Sequence, residues 1–195
     1  MAADEALLER VVRSGGAFLR IYRWDPPTFS IGRNQHDVFE NTPVVRRPTG
    51  GQAVWHEHEV TYAAVAPVAL FGSLRKAYCE IHTRLARALR SLGVDAVLAP
   101  AVRASGRPAG CFASSVGGEI LVGGKKLVGS AQVRKRDAFL QHGSILLDVA
   151  PERSFNGGTT LAEVLGRSVT FGEVVEAITS TWSDLRPSLI ASAAP

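Results

Sequence analysis

RRPTGGQAVWHEHEVTYAAV, residues 46–65, is the stretch on which the rest of the chain turns. Two arginines lead into a Gly pair, and a run of apolar and β-branched residues closes the segment. QAVWH and EVTYAAVA read as two strands. Gly50 and Gly51 carry no Cβ, so the backbone there can approach a ligand closely. Neighbouring amides can then face an anion or a carbonyl oxygen, and Arg46 and Arg47 add fixed positive charge. The same residues also suit a basic strand end followed by a tight turn, and the stretch alone leaves both readings open.

Upstream, residues 3 to 14 read as a helix carrying Leu7, Leu8, Val11 and Val12, stopped by Gly15 and Gly16. FLRIYRW from Phe18, TFSIG and PVVRR read as strands, the first two separated by Pro26 and Pro27. Downstream, Leu74, Ala77, Tyr78, Ile81, Leu85, Ala88, Leu89 and Leu92 repeat at helical spacing, predicting a helix over 73–92. DAVLAP reads as a short strand, and EILVGGKKLVGSAQVRK as a hairpin turning at Gly123 and Gly124. FLQHGSILLDV reads as a strand. TTLAEVLG and FGEVVEAITSTWSDL read as helices, and LIASAAP as a fraying tail. Strands and helices mix without βαβ alternation. That predicts an α+β fold with a mixed, largely antiparallel sheet flanked by helices, forming a single domain over residues 1–195.

A chain of 195 residues with 46% hydrophobic residues can bury a full core. No apolar run is long enough to span a bilayer, and the N-terminus lacks the pattern of a secretory signal. Both point to the cytoplasm, where Cys79 and Cys111 are expected to be free thiols. The net charge of +4 suits an acidic partner and is too small to argue for nucleic acid.

Two further stretches can carry chemistry. In GGKKLVGSAQVRK, strict alternation sends Lys126 and Val128 to one face and Leu127 and Gly129 to the other. Lys126 then heads an apolar strand whose Gly129, Ser130 and Ala131 leave room for a ligand chain. In GCFASS, Cys111 lies in an irregular loop preceded by Arg103 and Arg107. Nearby cations favour the nucleophilic thiolate. The plainer alternatives are a solvated lysine pair and an inert loop thiol. Cys79, inside the predicted helix, reads as inert.

Taken together, the three stretches resemble the lipoate–protein ligase and octanoyltransferase family. RRPTGGQAVWHEHEVTY is similar to its Arg-Arg-x-Thr/Ser-Gly-Gly-x-Ala-Val-x-His motif. GKKLVGSAQVRKRDAFLQHGSILLD is similar to its Gly-Arg-Lys-φ-x-Gly-Ser-Ala-Gln motif and the strand that follows. DEALL, RWDPPTFSIGRNQ and TLAEVLGRSVTFGEVVEAI match in kind, so the resemblance spans nearly the whole chain. It implies the biotin–lipoate ligase catalytic-domain fold, related to class II aminoacyl-tRNA synthetases. It also implies the joining of lipoate or octanoate to a lysine of a small acidic lipoyl domain. By the same resemblance Arg47, Thr49, Gly50, Gly51, Ala53, His56, Gly129, Ser130, Ala131 and Gln132 would bind the acyl group. Lys126 would hold its carbonyl or the acyl-adenylate, and His142 would assist proton transfer or serve the structure. No metal site is implied.

The branch most resembled is that of the Cys-dependent, ligase-like octanoyltransferases. These place a Cys-Phe pair before the Lys turn, as Cys111-Phe112 stands here, fifteen residues ahead of Lys126. That branch implies an octanoyl acyl-carrier protein as donor and an apo lipoyl domain as acceptor, either glycine cleavage H protein or a 2-oxoacid dehydrogenase E2. It needs no cofactor. Related amidotransferases, which shift the acyl group between lipoyl domains, also use a cysteine, and the motif of the shorter octanoyltransferases is absent. The alternative is an ATP-dependent lipoate–protein ligase using ATP and Mg2+, which commonly carries or works with a C-terminal accessory domain; none is expected after the helix ending near Leu185. A third possibility is a catalytically silent acyl-binding member. The departures are Lys125 in place of the usual Arg, ASSVGG where Pro-Ser often follows the Cys-Phe pair, and a chain shorter than typical members.

Overall fold

The computed structural model of the protein describes residues 1–36, 44–100, 118–149 and 158–182, and the backbone of 188–191. Helix α1 (Ala2–Ser14) buries Asp4, Leu7, Leu8 and Val11, the i, i+3, i+4, i+7 positions of one face. Strands β1 (Phe18–Tyr22), β2 (Thr28–Ile31), β3 (Val44–Arg46), β4 (Val54–His56) and β5 (Glu59–Pro67) follow. Helix α2 (Leu74–Ser91) starts at Ser73, whose hydroxyl accepts from the Lys76 amide at 3.1 Å. It gives way to Gly93, at φ +91°. Then come β6 (Val97–Leu98), β7 (Ile120–Val122), β8 (Lys125–Lys135), β9 (Ala138–Leu146), α3 (Leu161–Leu165), α4 (Phe171–Ser180) and β10 (Ser188–Ala191).

The strands form a seven-stranded sheet in the order β10-β1-β5-β9-β8-β7-β6 and a three-stranded sheet in the order β3-β2-β4. Pairing is antiparallel except for β1–β10 and β2–β3, so the sheets are mixed and largely antiparallel. Both faces of the large sheet are covered. One face meets Ile81, Leu85 and Leu89 of α2 and Val174 and Ile178 of α4, in a core with Leu19, Ile21, Tyr62 and Ile145. The other meets Leu7, Leu8 and Val11 of α1, with Tyr22, Trp24, Ala63 and Leu140. This explains why β5 reads as a nearly continuous apolar run rather than an alternating one.

Three expectations change. The tail does not simply fray: Ser188–Ala191 pair in parallel with β1, supplying hydrogen-bond partners to an edge that would otherwise be bare. Helix α4 stops at Ser180 rather than running on towards Leu185. The hydroxyls of Thr179, Ser180 and Thr181 there donate back to the carbonyls of Glu176, Ala177 and Ile178, competing with the helical ladder. Strict alternation fails at Leu127. Ile120 pairs with Val128 while Leu121 pairs with Lys126, so Leu127 is the extra residue of a bulge. Leu127 and Val128 consequently both enter the core beneath α2, and Lys126 is turned away from the face that alternation assigned it. Among the described residues no helix is long and apolar enough to cross a membrane.

Candidate functional site

The arginines that open RRPTGGQAVWHEHEVTYAAV are both spent on carbonyls. Arg46 Nη1 donates to the carbonyls of Gly32, Arg33 and Gln35 at 3.1, 3.2 and 2.6 Å, bracing the loop after β2. Arg47 is buried; its Nη1 donates to the carbonyl and hydroxyl of Ser30 at 2.8 and 2.6 Å. Its Nη2 donates to the carbonyls of Gly50 and Gln52 at 3.3 and 2.7 Å, so the guanidinium holds the Gly turn from inside. Gly51 adopts φ +101°, and a Cβ there would lie 3.2 Å from Arg47 Nη2. Its carbonyl oxygen packs so closely on Gly32 that only glycine fits at that position.

Behind this turn lies a cavity between the small sheet and the α1 face of the large one. Met1, Arg47, Val54, His56, Thr61, Gly129, Ser130, Ala131, His142, Gly143 and Ser144 line it, bordering about 350 Å³ of empty space counted together with the solvent at its mouth. The register explains the lining. Thr61, Ser144 and Gly129 sit side by side across β5, β9 and β8, as do Ala63, His142 and Ala131. The small residues of β8 leave the volume, and bulkier polar ones wall it.

Those polar walls are two buried hydrogen-bond networks. His56 stacks on Trp24, ring centroids 4.4 Å apart. Its Nδ1 lies 2.7 Å from Glu59 Oε1, so it donates there, and its Nε2 accepts from Ser30 Oγ at 2.5 Å. Glu59 Oε1 also accepts from Ser144 at 2.8 Å and from Thr61, which in turn accepts from Trp24 Nε1 at 3.0 Å. Both nitrogens of His56 are thus engaged, while Glu59 Oε2 is buried with no hydrogen-bond partner among the described residues. The second network runs from Thr49 Oγ1 to His142 Nε2 at 2.7 Å. The other ring nitrogen of His142 is 3.7 Å from Asp4, too far for a hydrogen bond. Asp4 accepts instead from Arg20 at 2.9 Å and Tyr22 at 3.0 Å. Burial would raise the Asp4 carboxyl, but His142 and Arg20 beside it outweigh burial and hold it below its ordinary range. Burial pushes His142 down despite Asp4, with Arg47 and His56 adding to the effect.

Of the residues the sequence singles out, Arg47, His56, Gly129, Ser130, Ala131 and His142 line the cavity. Thr49 reaches it through His142. Gly50 and Gly51 are exposed and border a separate polar recess with Asn34, Gln35 and His36. Ala53 lines neither space, and Gln132 bonds to the Leu74 carbonyl and Gln141, both at 3.2 Å. Lys126 is 4% exposed and its ammonium pairs with buried Glu119 at 2.7 Å, so it is not a solvated lysine. Cys111 lies outside the described residues, as do Arg103 and Arg107. Asp4, Glu59 and Glu119 escaped the sequence reading. A periodicity signal existed for Asp4, which falls on the apolar face of α1, and for Glu59, an acid opening an apolar strand.

Comparison with known proteins places this arrangement. The profile of the lipoyl protein ligase A/B catalytic domain matches residues 1–183. An octanoyltransferase LipM from Kyrpidia tusciae is 44% identical over 80% of this chain; the chain spans 64% of that relative's length. A lipoate–protein ligase A solved with ATP shares the fold, at a TM-score of 0.71 and 21% identity over 97% of this chain and 82% of the other. So does a bi-partite lipoate–protein ligase of Thermoplasma acidophilum, from a structural study with its E2 lipoyl domain, at 0.64 and 21% over 96% and 82%.

Proposed function

The chain belongs to the lipoyl protein ligase A/B catalytic-domain family, and on that premise we propose that it is an octanoyltransferase of protein lipoylation. The observation that carries this reading is the 44% identity to an octanoyltransferase. The motif cysteine and the lysine of that chemistry are present as Cys111 and Lys126.

In this reading the Cys111 thiolate attacks the carbonyl carbon of octanoyl acyl-carrier protein. The carbon–sulfur bond to the carrier breaks, and the carrier thiol leaves with a proton. The lysine amine of an apo lipoyl domain, in a glycine cleavage H protein or a 2-oxoacid dehydrogenase E2, then attacks the Cys111 thioester. The amide forms, Cys111 is released, and the amine's proton passes to the thiolate or to solvent. Thioester to amide is downhill, so neither ATP nor metal is required, and two half-reactions let one pocket serve two protein substrates. Lys126 stabilises the oxyanion of each step, with Glu119 fixing where its ammonium sits. The acyl chain lies in the cavity along Gly129, Ala131 and Val54. His56, both nitrogens occupied, positions the cavity wall rather than moving protons, and His142 serves the structure. A lipoyl group fits the same scheme. The reaction requires a reduced thiol, which the cytoplasm supplies.

The test is intact mass of an apo lipoyl domain incubated with this protein and octanoyl acyl-carrier protein without ATP. One octanoyl group gained, with an adduct on Cys111 and loss of both in Cys111→Ser, is the expected result. A gain only with free acid, ATP and Mg2+, unaffected by Cys111→Ser, makes the protein a ligase. No gain under either condition, with the lipoyl domain still bound, makes it a silent acyl-binding member.

A further inference from the structure

A third group of buried polar side chains lies beneath α2, meeting the cavity only at Ser130 and Gly143, which also line it. Tyr62, Gly143 and Ser130 sit side by side across β5, β9 and β8, and His82 of α2, fully buried, descends onto them. His82 Nδ1 is 2.5 Å from the Gly118 carbonyl, which can only accept, so Nδ1 carries the proton. Nε2 therefore accepts, and Ser130 Oγ, at 2.8 Å, donates to it. With its proton committed, Ser130 Oγ accepts from Tyr62 at 2.7 Å, and Tyr62 accepts from Gln141 Nε2 at 3.1 Å. Tyr62 Oη also lies 3.3 Å from Nε2, but the shorter contact from Ser130, at 2.8 Å, takes that lone pair.

The two ends of the imidazole grip two different strands. Gly118 immediately precedes Glu119 and the entry to β7. Ser130 lies on β8, beyond the Leu127 bulge from Lys126. This is where the sheet is least able to hold its own register. Strands β6 and β7 have two and three residues, and the β7–β8 pairing shifts register at the bulge. A one-residue slip there would turn Glu119 to the other face and break its pair with Lys126. Helix α2, eighteen residues long and capped, is the rigid body from which both strands can be pinned.

We propose that His82 is a positioning residue: it clamps Gly118 and Ser130 on either side of the β8 bulge and thereby fixes the Glu119–Lys126 ion pair. Burial, opposed by the Gly118 bond and assisted by the Lys126 charge, pushes the ring down to about 4, which keeps one donor and one acceptor on it at neutral pH. The catalytic consequence rests on the transferase reading, whereas the clamp does not.

The full chain tests it. Imidazole ¹⁵N shifts at pH 7 are expected to show His82 protonated on Nδ1 and bare on Nε2. In His82→Leu, amides of residues 119–122 are expected to exchange about tenfold faster, with those of β5 and β9 unchanged. His82→Asn, whose amide reaches the Nδ1 position and can donate to the Gly118 carbonyl but stops short of Ser130, should restore part of that protection. Ser130→Ala assigns the ring and carries the exchange comparison should His82→Leu not fold. Octanoyl transfer should lose kcat by about tenfold in His82→Leu at unchanged KM for the lipoyl domain, and recover in part in His82→Asn. A proton on Nε2, a charged ring, or exchange that is unchanged at 119–122 or faster throughout the sheet overturns the clamp. Absence of transfer in the parent protein removes the transferase reading alone, since the shifts and exchange still decide the clamp.

Discussion

A methyl group added at Gly143 has no room. It would press on the Gly129 carbonyl oxygen and Ser130 Oγ well inside van der Waals contact and lie 2.9 Å from Tyr62 Cε1. Gly143→Ala is expected to cost about 1–3 kcal/mol, read from urea unfolding. Gly50→Ala, with nothing within 4 Å of its Cβ, should stay within about 0.5 kcal/mol. The contrast shows what was legible at this scale. The Gly pair at 50 and 51 announces itself in sequence, yet the most crowded glycines are Gly32, pressed by that very turn, and Gly143, pressed by neighbouring strands. Glu59 and Asp4 stand out as acids on apolar faces. The groups they meet, Ser144 for one and Arg20 for the other, depend on a register and a helix placement that no local pattern states.

Helix α4 starts with a reciprocal cap: Thr170 Oγ1 accepts from the Glu173 amide at 3.2 Å, and the Thr170 amide donates to Glu173 Oε2 at 2.8 Å. Those backbone and hydroxyl bonds, with Arg167, draw the Glu173 carboxyl down to about 2 from its ordinary 4.5. Because the folded value is the lower one, the cap's contribution is fully present above pH 4.5 and lost as pH falls through 2. Thr170→Ala should lower stability by about 1 kcal/mol at neutral pH and weaken this acid dependence, both read from thermal unfolding at pH 2 to 7. Apolar periods and stopping glycines made α1 and α2 readable from sequence, whereas caps of this kind went unread; turn glycines made the β7–β8 hairpin readable. The end of α4 and the bulge at Leu127 were not. Three successive hydroxyl residues there turn back on their own helix, and the bulge exists only in relation to a partner strand.

Across the whole molecule, two histidines are held neutral by burial, His82 at about 4 and His142 below its ordinary 6.5. As pH drops below 6.5, the unfolded chain binds protons on both more readily than the folded one. Stability should therefore fall from pH 6.5 towards 4, before the loss at the low-lying Asp4 carboxyl sets in below 3.8. Urea unfolding over that range, with His82→Asn flattening part of the slope, checks this. The fold class was readable because both sheet faces are covered by helices the periodicity exposes. The candidate site was readable only in part, since half its walls are polar groups paired across the sheet.

The place of β1 between β5 and β10 has a consequence for how the protein comes into being. Strand β1 pairs with β10, about 170 residues further along the chain, and β5 must wait for β9. Assembly is governed by closing long loops, which belongs to the millisecond-to-second regime of non-local topologies. During synthesis, β1 stands with bare hydrogen-bonding edges until its neighbours emerge. In that interval, the bare edges are open to pairing with a second nascent copy as well as with the rest of the same chain.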